Sequence, residues 1–268
     1  MVFIRFPKKS LGQNFLIDKN IIKKILDISN IDETQTILEI GAGYGNLTKL
    51  IAKKKVNKII AIEKDIKICE FLKNNFKNNK NIKIINDDIL NIINKNKFKK
   101  RVIVYGNLPY SISTKILVNF IMTKKWPPRY EKLIFMFQKE VADRILAKEN
   151  TKNFNRLSVL SNWRLDVKKH FDISKNCFFP KPKVNSTLLS FYPKKKNFYK
   201  LRNPENLEKI TRCLFSNRRK MINKSFNKLF GKNSPVADNL GIKLNKRPEE
   251  ISNDMYYKIA VMYEKLFS

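Results

Sequence analysis

Residues 36–54 read "TILEIGAGYGNLTKLIAKK". The stretch is a strand, a glycine turn and a helix in immediate succession, and the chain repeats that alternation on its C-terminal side. "KIIAIEKD" (58–65) is a β-rich run ending in a carboxylate, followed by the helix "IKICEFLKNNF" (66–76). "NIKIINDDIL" (81–90) and "RVIVYGNLPY" (101–110) are further strands with polar residues at their ends. The helix "TKILVNFIMTK" (114–124), the strand "EKLIFMFQ" (131–138) and the helix "KEVADRILAK" (139–148) complete the series. Strands this apolar throughout are buried on both faces, so the pattern predicts an α/β fold with a parallel sheet covered by helices.

On the N-terminal side, basic "RFPKKSLGQNFLID" (5–18) precedes an amphipathic helix, "KNIIKKILDIS" (19–29), with Asp18 as its cap. Beyond Asn150, "NRLSVLSNW" (155–163) is helical and "RLDVKKHFDI" (164–173) and "STLLSFYP" (186–193) are strands. "FFPKPKV" (178–184) reads as a proline-stiffened loop. The basic linker "YPKKKNFYKLRNP" (192–204) leads into a helically patterned remainder. The expected division is a larger domain over 1–197 and a small all-helical one over 198–268.

Lys and Arg number 56 against 23 Asp and Glu, a net charge of +33. That balance favours a polyanionic partner, although Lys, Asn and Ile have A/T-rich codons and codon bias supplies part of the lysine. Cys69, Cys177, Cys213 and the single His170 lack metal-ligand spacing, so no metal is expected, and the free thiols suit a reducing compartment. No apolar run approaches the ~18 residues of a membrane span, and the N-terminus lacks a signal-peptide core. The expectation is a cytoplasmic protein with no membrane partner.

In an open parallel sheet, ligands sit beyond the carboxyl ends of the strands, where this chain places Gly41-Ala42-Gly43-Tyr44-Gly45, Glu63, Asp87-Asp88 and Asn107 to Tyr110. Gly41 and Gly43 have no Cβ and let a ligand approach the backbone. The dinucleotide fingerprint G-x-G-x-x-G fails at Asn46. Glu63 stands where a carboxylate takes both ribose hydroxyls, and Asp88 either accepts from an adenine amine or caps the next helix. A nucleoside without pyrophosphate is implied. S-adenosylmethionine fits, because its cationic groups tolerate carboxylates such as Glu39. The Asn107 side chain and the Leu108 carbonyl can accept both hydrogens of a base's exocyclic amine while Tyr110 stacks on the ring, an arrangement that holds a flipped-out adenine for methylation at N6. Phe178 or Phe179, on the proline-braced segment, supplies a second aromatic face.

"GQNFLID", "LEIGAGYGNLT", "AIEKD", "NDDIL", "GNLPYSIST", "FQKEVADRI", "FFPKPKVNS", "FSNRRK" and "RPEEIS" together resemble the KsgA/RsmA family of small-subunit ribosomal RNA adenine N6,N6-dimethyltransferases. The resemblance implies a Rossmann-like sheet of seven strands, mostly parallel, with a helical C-terminal domain that docks on the ribosome. It implies two adjacent adenines near the 3′ end of 16S rRNA, in the assembling 30S subunit, as substrate for a monomeric enzyme using S-adenosyl-L-methionine. Carried over by position, the cofactor set is Asn14, Leu16, Gly41, Glu63, Asp88 and Asn107, and the base-holding set is Asn107, Leu108, Tyr110 and Phe178 rather than Phe179. Asn185 departs from the Asp that many relatives carry. Lys8 and Lys9 beside "GQNF", and Arg218, Arg219 and Lys220 on an expected helix, are candidate phosphate contacts. Three rival readings are a large-subunit rRNA adenine dimethyltransferase of the macrolide-resistance type, a DNA adenine methyltransferase, and an assembly checkpoint factor with secondary catalysis. Leu108 in place of the first proline of D/N-P-P-Y argues against the DNA enzyme, and "FSNRRK" and "RPEEIS" favour the small subunit.

Overall fold

The computed structural model describes residues 7–8, 11–94, 101–196 and 198–267. A two-residue strand, β1 (Phe15–Leu16), leads into α1 (Lys19–Asp27), which Asp18 caps by accepting the N–H groups of Asn20 and Ile21. Then β2 (Thr36–Ile40), α2 (Asn46–Ala52), β3 (Lys58–Glu63), α3 (Ile66–Asn75), β4 (Ile82–Asn86), α4 (Ile89–Asn94), β5 (Val102–Gly106), α5 (Tyr110–Ile121), β6 (Tyr130–Gln138) and α6 (Lys139–Leu146) alternate. The remainder comprises α7 (Arg156–Arg164), β7 (Leu165–Ile173), β8 (Phe178–Phe179), β9 (Ser186–Pro193), α8 (Glu205–Leu214), α9 (Asn223–Phe230), α10 (Val236–Asn239) and α11 (Asn253–Phe267).

Seven strands form one sheet in the order β4-β3-β2-β5-β6-β9-β7. The five strands β2 to β6 run parallel, and β9 returns antiparallel to β6. Every residue of β2 and of β5 is buried, as central strands covered on both faces require, whereas the edge strand β4 is only half-buried. The chain leaves β2 for β3 on one side, and β5 lies on the other, so the topological switch point falls between β2 and β5. Register sets Ile40 beside both Ile62 and Gly106, which brings the turns after β2, β3 and β5 to one level.

β1 and β8 pair as a separate antiparallel ribbon, Phe15 opposite Phe179 and Leu16 opposite Phe178. Part of the segment read from sequence as a loop is therefore a strand, made by partners 162 and 164 residues away in sequence. Asn185 is structural: its side-chain oxygen accepts the Lys175 N–H (3.0 Å) and its carbonyl accepts the Lys139 N–H (3.0 Å).

By packing, the chain divides into two units. One is drawn from Met1–Asn119, Pro128–Glu140 and Lys168–Pro193 and contains most of the sheet; the other is drawn from Phe120–Pro127, Val141–Val167 and Lys194–Ser268. The second unit thus takes in α7, which the 197/198 division assigned to the larger domain. The reason is tertiary: Arg156 pairs with Glu208 of α8 (2.7 Å), and Tyr257 of α11 donates to the Val159 carbonyl (3.0 Å). In the same unit Arg164 lies over the Trp126 and Trp163 rings, 4.9 and 3.8 Å from their centroids, and donates to the Ile121 and Thr123 carbonyls.

Candidate active site

The turn after β2 begins at Gly41, whose N–H donates to the Ile62 carbonyl (2.9 Å) with φ at +68°. A Cβ here would stand 3.2 Å from the Asn107 carbonyl, so the missing side chain keeps open a cleft between the ends of β2 and β5. Gly43 works differently from expectation. A Cβ on it would stand 2.7 Å from the Phe15 ring, so its bareness admits that ring rather than a ligand. Phe15 packs edge-on to Tyr44 (4.9 Å between centroids) and covers the turn.

Glu63, at the end of β3, is 7% exposed and faces the cleft. One carboxylate oxygen accepts the Gly43 N–H (3.0 Å) and the other the Asp65 N–H (2.9 Å). Each oxygen keeps a further lone pair, enough for two hydroxyls. Burial pushes its carboxyl above the usual range, against the pull of the Asp65 and Gly43 N–H groups. Asp88 also lines the cleft, and both of its sequence readings leave a trace. One oxygen accepts the Leu90 N–H (2.9 Å) as a cap, and the other pairs with Lys64 (3.0 Å). Burial works upward on this carboxyl, but the Leu90 N–H and Lys64 outweigh it and hold it below the usual value.

Glu39 does not reach the cleft wall. It is 3% exposed, and its carboxylate accepts the Thr48 hydroxyl (2.6 Å). Burial, opposed by Thr48 and reinforced by the charge of Glu63, pushes its pKa up to about 8.

The Asn-Leu-Pro-Tyr motif runs from the loop just after β5 to Tyr110, the first residue of α5. The Asn107 amide nitrogen donates to the Asn14 carbonyl (2.8 Å). That bond turns the side-chain oxygen away from Asn14 and leaves it without a partner among the described residues. Leu108 is 2% exposed and anchors the loop. The Tyr110 hydroxyl lies 2.6 Å from the Ser186 hydroxyl, which pins the half-buried ring to β9.

A model of the ribosomal RNA adenine dimethylase family matches residues 6–265. The chain belongs to that family. Ribosomal RNA small subunit methyltransferase A of Pelagibacter ubique is 49% identical over 259 residues, covering 97% of each chain. The protein so named from Wolbachia sp. subsp. Drosophila simulans (strain wRi) is 37% identical over 268 residues, covering 99% of this chain and 96% of its own. Among solved structures, a dimethyladenosine transferase from Plasmodium falciparum aligns with a TM-score of 0.78 at 25% identity, over 94% of this chain and 98% of its own. The 23S rRNA methyltransferase ErmE shares the fold, with a TM-score of 0.66 at 18% identity over 94% and 99%.

Members of the ribosomal RNA adenine dimethylase family are S-adenosylmethionine-dependent enzymes, and this chain is one of them. The cleft suits that donor: Glu63 offers two acceptors for a ribose, Gly41 leaves room that a Cβ would fill, and Asp88 stands at the same wall. Asn14 joins the cleft and orients Asn107. Leu16 does not: its side chain is 7% exposed within the hydrophobic core, and its carbonyl accepts the Asn46 amide (2.9 Å). Phe178 shares that core and is 3% exposed, whereas Phe179 is 44% exposed. Register explains the split, since Leu16 and Phe178 share one face of the β1–β8 ribbon and Phe15 and Phe179 the other.

The candidate phosphate contacts also separate. Lys8 pairs with Asp65 (2.9 Å), and Lys9 lies outside the described residues. Arg218 to Lys220 are not helical. The α8 helix gives way to a 3-10 turn over Phe215–Asn217, and the three residues form the turn that follows. Arg218 pairs with Glu249 (3.4 Å) and donates to the Lys152 carbonyl, while Arg219 and Lys220 are exposed. Three polar groups that shape the site were not singled out from sequence: Ser186, Asp65 and Gln13. Only their pairing across distant segments marks them.

No described helix is long and apolar enough to cross a membrane, and no group of three His, Cys, Asp or Glu side chains among the described residues could hold a metal ion.

Proposed function

We propose that this enzyme transfers methyl groups to N6 of two adjacent adenines near the 3′ end of 16S rRNA, in the assembling 30S subunit, as a cytoplasmic monomer. The observation that carries the chemistry is the Asn107 amide, committed through its nitrogen to Asn14 and so presenting its oxygen. The small-subunit target rests on the relatives named ribosomal RNA small subunit methyltransferase A.

When bound, S-adenosylmethionine supplies a methyl group on a sulfonium centre. Glu63 and Asp88 hold its nucleoside. The Asn107 oxygen and the Leu108 carbonyl accept the two hydrogens of the adenine amine, which draws N6 towards tetrahedral geometry and concentrates its lone pair for attack. Tyr110, pinned by Ser186, stacks on the base. Phe178, by its place in the motif, is the second aromatic of the base-holding set, with its ring in the core it shares with Leu16. The surplus proton leaves N6 for solvent once the new bond has formed. Such catalysis is positioning and needs no strong base. The helical C-terminal part, with Arg219 and Lys220 free to meet phosphates, docks the enzyme on rRNA.

The test is transfer from labelled S-adenosylmethionine to unmethylated small subunits, large subunits, naked rRNA and duplex DNA. Dimethyladenosine formed only in small subunits is expected. Label in large-subunit RNA or DNA would overturn the target, and cofactor and subunit binding without label would favour the assembly-checkpoint role.

A further inference from the structure

An asparagine side chain offers an acceptor on one side and a donor on the other, and a half-turn of the amide exchanges them. Only the oxygen-outward orientation can accept hydrogens from an adenine amine. On the reading of Asn107 given above, something must forbid the half-turn. The Asn14 carbonyl does so through its 2.8 Å bond to the Asn107 nitrogen, because a flipped amide would set oxygen against oxygen. Yet Asn14 lies outside regular secondary structure, just before β1. A carbonyl in such a segment orients its partner only if the segment is itself held.

It is held by Gln13. The Gln13 amide nitrogen donates to Asp65 Oδ2 (3.3 Å), and its oxygen accepts the Lys8 N–H (2.7 Å). Lys8 closes the loop by pairing with the same Asp65 oxygen (2.9 Å). The Asp65 side chain is 3% exposed, and its other oxygen accepts the Lys67 N–H (3.0 Å) as the cap of α3, so the anchor stands on a helix end. The Asp65 backbone N–H meanwhile holds one oxygen of Glu63 (2.9 Å). One residue thus faces both halves of the site: its backbone orients the ribose acceptor and its side chain, through Gln13 and Asn14, orients the amine acceptor.

We propose that Gln13 and Asp65 are positioning residues for the methyl-accepting amine: the Gln13–Asp65 bond holds the Asn14 carbonyl where it fixes the Asn107 amide oxygen-outward. Gln13 lines the cleft beside Asn14, yet neither it nor Asp65 is in the cofactor or base-holding set given above. The second methyl transfer depends more on this bond than the first. Monomethyl N6 has one hydrogen left; we take the Asn107 oxygen, not the Leu108 carbonyl, as the acceptor that holds it, so a wavering amide fails there first.

The test uses Gln13→Ala and Gln13→Met, the second keeping most of the side-chain volume in case the first folds poorly. In 15N-labelled protein without ligands, the Asn107 side-chain amide signals are identified by their absence in Asn107→Ala. The proton bonded to Asn14 is expected to be protected from exchange in the wild type and to lose about tenfold or more of that protection in both variants. In turnover, kcat is expected to fall about tenfold. At matched total methyl incorporation the product should shift from dimethyl- towards monomethyladenosine. Unchanged amide protection in the folded variants would overturn the proposal. A loss of activity with the product ratio intact would overturn the greater dependence of the second transfer on this bond. Full turnover by Asn107→Ala is a different failure: it would remove Asn107 as the amine acceptor, whatever Gln13 does.

Discussion

Replacing Glu63 by Gln tests the cofactor site with little change of shape. In the wild type two backbone N–H groups, of Gly43 and Asp65, each donate to one carboxylate oxygen (3.0 and 2.9 Å). A carboxamide has one oxygen, so its NH2 must face one of these donors and leave it buried and unpaired, at about 1–3 kcal/mol. For the ligand, one acceptor is lost and the remaining contact is no longer charge-assisted, together about 2–3 kcal/mol, or roughly 30- to 150-fold in affinity. The unliganded fold is less affected, because removing the buried charge offsets part of the orphaned N–H. Calorimetry with S-adenosylhomocysteine measures the first effect and urea unfolding the second. The pH profile adds a sign. Burial holds the Glu63 carboxyl above its ordinary value of 4.5, and hydroxyls bind its ionised form. Wild-type affinity should therefore fall as pH drops through the mildly acidic range, at a higher pH than an ordinary glutamate would give, while Glu63→Gln stays level there. Affinity within twofold of wild type at neutral pH, with a fold of normal stability, would refute the assignment.

Glu39→Gln keeps an acceptor for Thr48 but removes a titration. A carboxyl raised from 4.5 to about 8 stabilises the fold below the lower value and loses that contribution as pH rises through the upper one. The variant should gain on the order of 4 kcal/mol over wild type between pH 5 and pH 8, read from urea midpoints, and parallel profiles would contradict the buried neutral carboxyl. Gly43→Ala sets a Cβ 2.7 Å from Phe15 at φ +53°, for a combined cost of about 2–5 kcal/mol. Gly241→Ala, at φ +64° with nothing within 4 Å, should show only the backbone part, about 1–2 kcal/mol, so equal melting shifts would deny the Phe15 contact. Arg219→Ala with Lys220→Ala should flatten the logarithmic salt dependence of subunit binding by about one to two units without altering stability, and an unchanged slope would move the docking surface elsewhere.

The alternation of strands and helices was legible because each strand carries an apolar run and each turn a glycine, proline or acid. The strand-end residues Gly41, Glu63, Asp88 and Asn107 were legible too, since any open parallel sheet gathers its strand ends at one edge. The arginine turn was not. The helical pattern runs on past Leu214, and only the 3-10 turn at Phe215–Asn217 ends it. Nor does helical patterning beyond Lys194 reveal that the earlier helix α7 joins the same unit, since the Arg156–Glu208 and Tyr257–Val159 bonds are not local in sequence.

The amino-acid sequence by itself determined the fold class, the family and which side chains stand at the strand ends, because those follow from motifs, periodicity and residue order. Tertiary structure decided which way those groups face. Phe178 and Phe179 are adjacent and alike in sequence, but pairing with β1 buries the first and exposes the second. Gly43 looks like a ligand cradle until Phe15 is found over it. Asn107 could present either end of its amide until Asn14, from the other end of the domain, takes the nitrogen. Each outcome depends on a partner tens of residues away, and local sequence does not encode the identity of such a partner; the packed chain does.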